Sequence, residues 1–190
     1  MADAESPPPP ITRGAGARTR VLRAALEVLD TGGLPGFNME AVARRAHASK
    51  ATLYRHWPTP GALLVDAMDT TFRPLPVPDT ASLESDVAQL LNGFLTTLEQ
   101  TPFPRLLAAF IDAAEREPAL AQLHVELTNR RREPMLVVLR RAQNRGQLDP
   151  QLDPELLTDL LTSPFFYHRF IAHRPIPPDL VDRVIAHVLG

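Results

Sequence analysis

The sequence predicts an all-α protein with about nine helices. Apolar residues recur at the three- and four-residue spacing of a helix face along most of the chain. No segment shows the alternation of apolar and polar residues that is typical of a half-buried strand. The 20 prolines stand mostly between the periodic segments, where they end helices because proline cannot donate the hydrogen bond that a continuing helix needs.

Four helices are predicted in the N-terminal third. Gly32 and Gly33 end the first helix, Asn38 caps the second, which ends near His47, and Ser49 caps the third. Pro58 and Pro60 end the third helix. The predicted ranges are about 15–30, 39–47, 50–57 and 60–72. The second and third helices therefore flank a turn of about three residues.

Five further helices are predicted beyond a proline-stiffened connection over 73–81. Asp153-Pro154 and Pro178-Asp179 open the last two helices, and Pro134 is expected to kink the longest one. The predicted ranges are about 83–98, 103–117, 119–145, 154–172 and 178–189. No repeat of fixed period is evident.

The composition limits the class of protein. The 190 residues include no cysteine, which excludes a disulfide framework, thiolate catalysis and any cysteine-ligated metal site. The longest apolar run, 106–111, has six residues, against the roughly 20 that a membrane-spanning helix needs. The N-terminus has no apolar signal core. We expect a cytoplasmic protein with no membrane partner, no cofactor and no metal site.

Charge is distributed unevenly along the chain. Residues 13–57 hold eight basic and three acidic side chains, whereas 58–190 hold 12 basic and 17 acidic ones. A basic N-terminal region joined to an acidic remainder favours a polyanion-binding unit attached to a region with another task. The sequence thus predicts a disordered arm over 1–12, a helix-turn-helix domain over 13–58 and a second helical domain over 59–190.

The third predicted helix has two different faces. With about 100° of rotation per residue, the apolar side chains of Leu53 and Trp57 lie on one side. Small and hydrogen-bonding residues lie on the opposite side: Ala51, Thr52 and Arg55. An outward face of this kind suits the major groove of DNA, which is about 12 Å wide. The residues that flank it, where phosphates would lie, are Lys50, Tyr54 and His56.

This segment carries the motif residues of a known family. They are Val42-Ala43, Ala46, Ser49, Thr52-Leu53-Tyr54 and His56-Trp57-Pro58. With them, residues 18–68 resemble the helix-turn-helix region of the tetracycline-repressor (TetR) family of transcriptional regulators. The remaining helices match that family only in number and length. The resemblance implies a DNA-binding regulator, expected to be a repressor, whose residues 59–190 bind an effector and form a homodimer.

The resemblance also assigns expected DNA contacts. Residues expected to bind phosphates, which fix position without reading sequence, are Asn38, Lys50, Tyr54 and His56. Residues on the face nearest the base edges are Ala51, Thr52 and Arg55. If Arg55 binds a guanine through two hydrogen bonds, it contributes about 1–3 kcal/mol of discrimination. Arg18 and Arg20 are expected to follow the DNA backbone or enter the minor groove, or alternatively only to solvate the surface.

Two positions depart from the family pattern. The family usually has glycine where this chain has His47. The turn must therefore either hold a non-glycine residue in an unfavourable backbone region or adopt a variant geometry. The family also often has a phosphate-binding lysine near the start of the fourth helix, where this chain has Pro60 and Gly61. Lower DNA affinity is one expectation, and compensation by other arginines is the alternative.

A short recognition helix reaches only a few base pairs, so specific binding normally uses two copies about 34–36 Å apart in a twofold dimer. We expect a homodimer on a palindromic double-stranded DNA operator, formed through 154–172 and 178–189. The apolar residues available for this interface are Leu157, Leu160, Leu161, Val181, Val184, Ile185 and Val188. Alternatively, they only complete the core of each subunit.

Aromatic residues concentrate in the second domain and suit a cavity for a small apolar or aromatic effector. The candidate ligand-binding residues are Phe94, Phe103, Phe110, His124, Phe165, Phe166 and His168. Ordinary core packing is the alternative for most of these rings. The resemblance implies that the effector moves the helix over 60–72 and changes the separation of the two recognition helices, which is a population shift.

Two other classes of protein are alternatives to a DNA-binding regulator. An all-α enzyme would need a catalytic motif, and the sequence contains no phosphate loop, zinc-protease motif or nucleophile elbow. Acidic pairs such as Asp66 and Asp69 are interpreted as solvated helix faces. A helical protein-interaction scaffold with a structural helix-turn-helix is the second alternative, and the uneven charge distribution argues against it.

Overall fold

The computed structural model describes residues 13–71, 74–101, 103–116 and 118–190, and over these residues the chain is all-helical, as predicted. The predicted arm over 1–12 lies outside the described residues. The nine α-helices in the described part of the chain are α1 (Arg13–Gly36), α2 (Met39–Ala46), α3 (Lys50–His56), α4 (Pro60–Thr71), α5 (Leu83–Gln100), α6 (Phe103–Ala114), α7 (Pro118–Asn144), α8 (Pro154–Phe166) and α9 (Leu180–Val188). A π-helical segment, Tyr167–Ile171, follows α8.

Helix α1 is interrupted where the sequence predicts its end. Gly33 has φ 60° and ψ −172°, which lie outside the helical region and which glycine adopts because it lacks a Cβ atom. A short helical turn then continues to Gly36 and contains Pro35. The long α7 contains Pro134 and continues through it without an interruption.

Helices α6 and α8 end earlier than predicted. Helix α6 stops at Ala114 instead of near 117, and α8 stops at Phe166 instead of near 172. After α8 the backbone widens into the π-helical segment, where the N–H of Ala172 donates to the carbonyl of Tyr167 at 2.8 Å. Periodicity in the sequence does not distinguish such a turn from a continuing α-helix, because the residue types suit both.

The described residues fall into two compact units, and the boundary between them follows Thr71. This corrects the predicted boundary at 58/59. Helix α4 belongs to the N-terminal unit because it packs on α1 and buries Leu63, Leu64 and Ala67 there. Burial of apolar side chains therefore sets the boundary, whereas the prolines at 58 and 60 only separate two helices of the same unit.

Each unit has its own apolar core. In the N-terminal unit, buried residues of α1 and α2 meet Leu53 and Trp57. In the second unit, α5 packs against α6, α7, α8 and α9. Its largest fully buried side chains include Phe110, Phe165 and Leu139. No helix in the described part of the chain is long and apolar enough to cross a bilayer.

Candidate nucleic-acid interface and effector cavity

Side-chain caps fix the starts of α2 and α3, as the sequence predicts. The Oδ1 atom of Asn38 accepts a hydrogen bond from the N–H of Ala41 at 2.8 Å. The Oγ atom of Ser49 accepts one from the N–H of Thr52 at 3.1 Å. Each cap satisfies a backbone donor that the helix itself cannot pair. The start of α3 is therefore set by local chemistry.

His47 occupies the left-handed backbone region in the turn between these helices. Its φ is 51° and its ψ is 46°. Its N–H donates to the carbonyl of Arg44 at 3.3 Å, and the N–H of Ala48 donates to that of Ala43 at 2.9 Å. This pair of bonds is a Schellman motif, in which glycine usually supplies the left-handed residue. Of the two geometries predicted for this turn, the chain adopts the strained one.

Helix α3 presents one face to the core and the other to solvent, as its sequence pattern predicts. Leu53 is 0% exposed and Trp57 is 5% exposed. Ala51 and Arg55 are exposed on the opposite side, and Tyr54 is 50% exposed. Thr52 is half-buried, and its hydroxyl lies 2.8 Å from that of Ser49. Lys50 and His56 are exposed at the two ends of the helix.

An acidic residue of α4 anchors the end of α3. The Nε1 atom of Trp57 donates to Oδ2 of Asp66 at 2.7 Å. The Nη2 atom of Arg18 donates to both carboxylate oxygens of Asp66 at 2.6 Å. Asp66 therefore links α1, α4 and the residue that closes α3, so its interpretation as part of a solvated face is wrong. The sequence signal was indirect: a buried indole N–H needs an acceptor.

The two arginines expected to follow the DNA backbone or enter the minor groove have partners within the N-terminal unit. Arg18 binds Asp66, and the Nε atom of Arg20 donates to the carbonyl of Ala46, the last residue of α2, at 3.1 Å. Both side chains lie on α1, which begins at Arg13, so they are part of a helix and not of an extended arm. The structure thus places both arginines on the predicted first helix, where they stabilise contacts between helices, and their expected DNA contacts stay predictions.

The exposed cations of α3 differ in their surroundings. The Nζ atom of Lys50 lies 2.5 Å from Oε2 of Glu40, and this hydrogen bond and charge hold the pKa of Glu40 below its usual value. Within the described part of the chain, Arg55 has no ion-pair or hydrogen-bond partner. The ring of His56 packs against that of Trp57, with centroids 5.6 Å apart. Arg55 is therefore available to an outside ligand without breaking a bond.

The second unit contains a cavity of about 360 Å³. Side chains of α5, α6, α7 and α8 line it, together with Pro74 and Leu75 from the connection that precedes α5. Four of the predicted ligand-binding residues lie in its wall: Phe94, Phe103, His124 and Phe166. The volume is within the usual range for small-molecule sites.

Three of the predicted ligand-binding residues lie elsewhere. Phe110 and Phe165 are fully buried behind the wall, where Phe165 meets the edge of Phe94 at 6.2 Å and Phe110 meets His124 at 5.5 Å between centroids. His168 lies in the π-helical segment, with Nδ1 3.3 Å from the carbonyl oxygen of Pro175. For these three residues the prediction of a cavity position is wrong, and for the two phenylalanines the core-packing alternative is correct.

Sequence reasoning missed the cover of the cavity, which is the connection that carries Pro74 and Leu75. Leu75 can lie on α5 because position 93 is glycine: a Cβ atom there would be 2.7 Å from Cδ1 of Leu75. The connection is held by the buried carboxylate of Asp86, which accepts from the N–H and the hydroxyl of Thr80 at 2.8 Å. Arg141 pairs with the same carboxylate at 2.8 Å. The glycine within an apolar helical stripe was the available signal for this close approach.

His124 is the titratable residue of the wall whose pKa is perturbed. Burial, and to a smaller degree the charge of Arg131, lower the pKa of His124 below its usual value. Both favour the neutral imidazole at pH 7. The guanidinium of Arg131 lies over the ring of Phe103, 5.1 Å from its centroid.

The apolar face expected at the dimer interface is mostly internal. Of its seven residues, five are buried in the core of the second unit: Leu157, Leu161, Val181, Val184 and Ile185. The exposed side of α9 is instead polar or small, with Asp182, Arg183, Ala186 and His187. Leu160, one of the seven, is exposed, and so are three further apolar residues of α8 and the π-helical segment; the exposed stripe is Leu156, Leu160, Tyr167 and Ile171, each at least 47% exposed. For these five residues the core alternative is correct.

These observations define the class of protein. An N-terminal helix-turn-helix unit with an exposed recognition helix is joined to a helical unit that contains a mostly apolar cavity. This combination is typical of ligand-responsive DNA-binding regulators.

Comparisons with known proteins identify the family. Residues 21–67 match the model of bacterial regulatory proteins of the tetR family, and residues 77–188 match that of the tetracyclin repressor-like C-terminal domain. The chain is 33% identical to the HTH-type transcriptional regulator AqdR of Rhodococcus erythropolis, over 72% of this chain and 66% of that protein. It is also 33% identical to the DNA-binding transcriptional repressor TetR of Mycobacteroides abscessus, over 72% of this chain and 73% of that protein.

A solved structure agrees with the sequence comparisons. The TetR family transcription regulator SCO0332 superposes with a TM-score of 0.72 at 32% identity, covering 91% of this chain and 96% of that one. The chain belongs to the TetR family, and it is a DNA-binding transcriptional regulator, not an enzyme. Regulators of this family bind DNA, form dimers and respond to small-molecule effectors.

Proposed function

We propose that this regulator is a repressor that binds a palindromic operator as a homodimer and is released by a small apolar or aromatic effector. The observation that carries the proposal is the exposed Arg55 on α3, opposite the buried Leu53 and Trp57. A guanidinium in this position can donate two hydrogen bonds to a guanine in the major groove. Ala51 and Thr52 share the face and are small enough to allow close approach.

Phosphate contacts would set the register of α3 in the groove. Tyr54 and His56 are exposed beside the base-reading face, and Asn38 lies at the start of α2. Lys50 would exchange its exposed pair with Glu40 for a phosphate, which costs little because surface ion pairs are weak. Arg18 and Arg20 contribute indirectly, since they hold α1 against α4 and α2.

Release requires an effector that binds the DNA-incompetent state more tightly than the competent one. The cavity of the second unit is the proposed effector site, and its aromatic lining suits an apolar or aromatic molecule. Helix α4 is the proposed route of the signal because Asp66 on α4 holds the indole of Trp57 at the end of α3. A shift of α4 would therefore change the position of α3.

The proposed dimer interface is the exposed stripe of α8 and the π-helical segment. Its four apolar side chains are each at least 47% exposed and therefore contribute only in part to the core of the subunit. Exposed apolar surface, where it is contiguous, marks an interaction site. The polar outer side of α9 fits the rim of such an interface better than its centre.

The proposed function is tested by selecting bound sequences from random DNA at physiological salt. A palindromic consensus with half-sites about one helical turn or a multiple of it apart is expected. The effector site is tested by adding aromatic compounds to the selected complex. Recovery of sequences without a consensus, or a consensus with no internal symmetry, would contradict the proposed operator.

The dimer interface is tested with one substitution at an exposed position of α8 and one at an exposed position of α9. Leu160→Glu places a charge in the centre of the stripe and is expected to give monomers in sedimentation analysis. Ala186→Glu, on the exposed side of α9, is the matched control and is expected to leave dimers intact. The opposite result would move the interface to α9.

A further inference from the structure

The cavity of the second unit has a wall of hydroxyl groups on two helices. We call this set the hydroxyl wall: Thr97 on α5 and Thr158, Thr162 and Ser163 on α8. All four residues line the cavity, together with apolar side chains and with His124, Arg131, Arg132 and Asp159. Thr128 on α7 also lines it, and both Thr128 and Ser163 are exposed to solvent.

Every hydroxyl of this wall donates its proton to its own helix. The Oγ1 atoms of Thr158 and Thr162 donate to the carbonyls of Pro154 and Thr158, each at 2.8 Å. The Oγ atom of Ser163 donates to the carbonyl of Asp159 at 2.6 Å, and that of Thr97 to Gly93 at 3.1 Å. A hydroxyl has one donor and two lone pairs. Each hydroxyl donates its proton to the carbonyl oxygen four residues earlier in the same helix. Only the lone pairs of the hydroxyl oxygens are therefore available to a ligand, as hydrogen-bond acceptors.

The cationic groups of the cavity are partly engaged by neighbouring side chains, and the buried Nε atom of Arg132 has no hydrogen-bond partner within the described residues. Arg132 pairs with the carboxylates of Glu155 at 3.2 Å and Asp159 at 2.9 Å. Arg131 lies over the ring of Phe103. His124 is favoured in its neutral form, which has one donor and one acceptor nitrogen. An apolar ligand can meet the hydroxyl wall without competing with an ion pair.

Resting on the effector site proposed above, we infer that the effector is an aromatic molecule that presents a hydrogen-bond donor, a phenolic O–H or a ring N–H, to the hydroxyl wall. The aromatic body packs among Phe94, Phe103 and Phe166. A molecule of the same shape whose only polar atom is a hydrogen-bond acceptor cannot form this bond, because its acceptor atom would face the acceptor oxygens of the hydroxyl wall. A site built to pair with a polar group of one kind rejects the isostere that lacks it.

Three probes built on the same size of fused bicyclic ring test the inference on the full chain. Indole carries a ring N–H, 1-benzofuran replaces it by an acceptor oxygen, and benzofuran-2-carboxylate adds an anion. Binding is measured by calorimetry or by ligand-observed NMR at millimolar probe concentration. Indole is expected to bind about 3–10-fold more tightly than benzofuran, the range of one net hydrogen bond. The carboxylate is expected to bind no better than benzofuran.

A matched pair of variants locates the effect. Thr162→Val removes an acceptor of the wall at constant shape and is expected to reduce the preference for indole over benzofuran. Thr96→Val is the control, because its hydroxyl makes the same bond, to the carbonyl of Asn92 at 2.9 Å, outside the cavity lining. Thr97→Val provides a second test on α5 if Thr162→Val lowers stability, and the preference ratio itself is insensitive to a partly unfolded fraction.

The binding results for the three probes distinguish a failure of the donor requirement from a failure of the proposed effector site. Equal binding of indole and benzofuran would overturn the donor requirement and leave the effector cavity in place. Preference for the carboxylate would also overturn it, since it would identify Arg131 as an anion site. Absence of binding by all three probes would contradict the effector cavity, and the inference with it.

Discussion

The recognition helix and the effector cavity use their side chains in opposite ways. On α3 the groups proposed to act point outward, and two buried residues, Leu53 and Trp57, hold the helix from behind. In the cavity the groups proposed to act point inward, and many of them also form the core of the second unit. The DNA-binding face can therefore change without unfolding the protein, whereas the cavity cannot change without affecting packing.

The recognition helix and the cavity also differ in the contacts that hold their residues in position. Local bonds within a few residues fix the start of α3, through Ser49, and the turn before it, through His47. The cavity depends on contacts between distant residues, among them Leu75 on Gly93 and Arg141 with Asp86. A site of the first kind is specified by a short stretch of sequence, and one of the second kind only by the folded unit.

The largest expected effect is a difference in the free energy of unfolding between variants on the buried and the exposed face of α3. Leu53→Ala is expected to lower the free energy of unfolding by about 2–5 kcal/mol, because it leaves a cavity at a fully buried position. Arg55→Ala, two residues away, is expected to leave it nearly unchanged. Denaturant titration of both variants checks this, and equal destabilisation would contradict the assigned faces.

A second variant tests the cover of the cavity. Gly93→Ala places a methyl group where Cδ1 of Leu75 lies and forces that side chain to move. We expect it to be less stable than Gly16→Ala, an open helical position, by about 1–3 kcal/mol. Thermal unfolding measures the difference, and indole affinity should change only in Gly93→Ala. Identical behaviour of both variants would mean that Leu75 does not cover the site.

The phosphate role of Tyr54 is tested by removing one atom. Tyr54→Phe is expected to weaken binding to all DNA sequences by about 0.5–1.5 kcal/mol, because one hydrogen bond is lost. The control is Thr96→Val, which removes one hydroxyl from an exposed position of α5 outside the proposed interfaces and the cavity lining. Fluorescence anisotropy on specific and mixed DNA measures both. A loss confined to one sequence would assign Tyr54 to base recognition.

A substitution in the turn between α2 and α3 is expected to change the stability of the N-terminal unit by a smaller amount, and to raise it. His47→Gly is expected to stabilise the N-terminal unit by up to about 1 kcal/mol, since glycine adopts the left-handed region without strain. His56→Gly, at the last residue of α3, is the control and is expected to destabilise the unit, because the backbone there is right-handed helical. Calorimetric melting compares the two, and destabilisation by His47→Gly would show that its side chain contributes more than its backbone costs.

The smallest effect concerns His124 and pH. Its lowered pKa means that the folded chain binds this proton less tightly than the unfolded chain does. The stability linked to this group is complete above a pH of about 6.5 and is lost as the pH falls below that value. The free energy of unfolding of the wild type should therefore decrease relative to His124→Gln between about pH 7 and pH 5. Parallel curves would contradict the shift.

The sequence predicts the N-terminal unit almost residue by residue because its signals are local. The caps, the strained turn and the two faces of α3 depend on residues no more than five apart. The anchor on Asp66 was missed because it joins α1, α3 and α4, which no local pattern brings together. For the same reason only part of the cavity wall was predicted, and the apolar face of α9 could not be assigned to the core or to an interface.

The central claim is that Arg55 reads a base while the residues around it hold the phosphates. The direct test is the ratio of specific to mixed-DNA affinity for the wild type and for Arg55→Ala, measured at one salt concentration on the selected operator. The ratio is expected to fall by about 5–150-fold, corresponding to about 1–3 kcal/mol, while binding to mixed DNA changes little. A loss of equal size on both DNAs would contradict the claim and place Arg55 on the backbone.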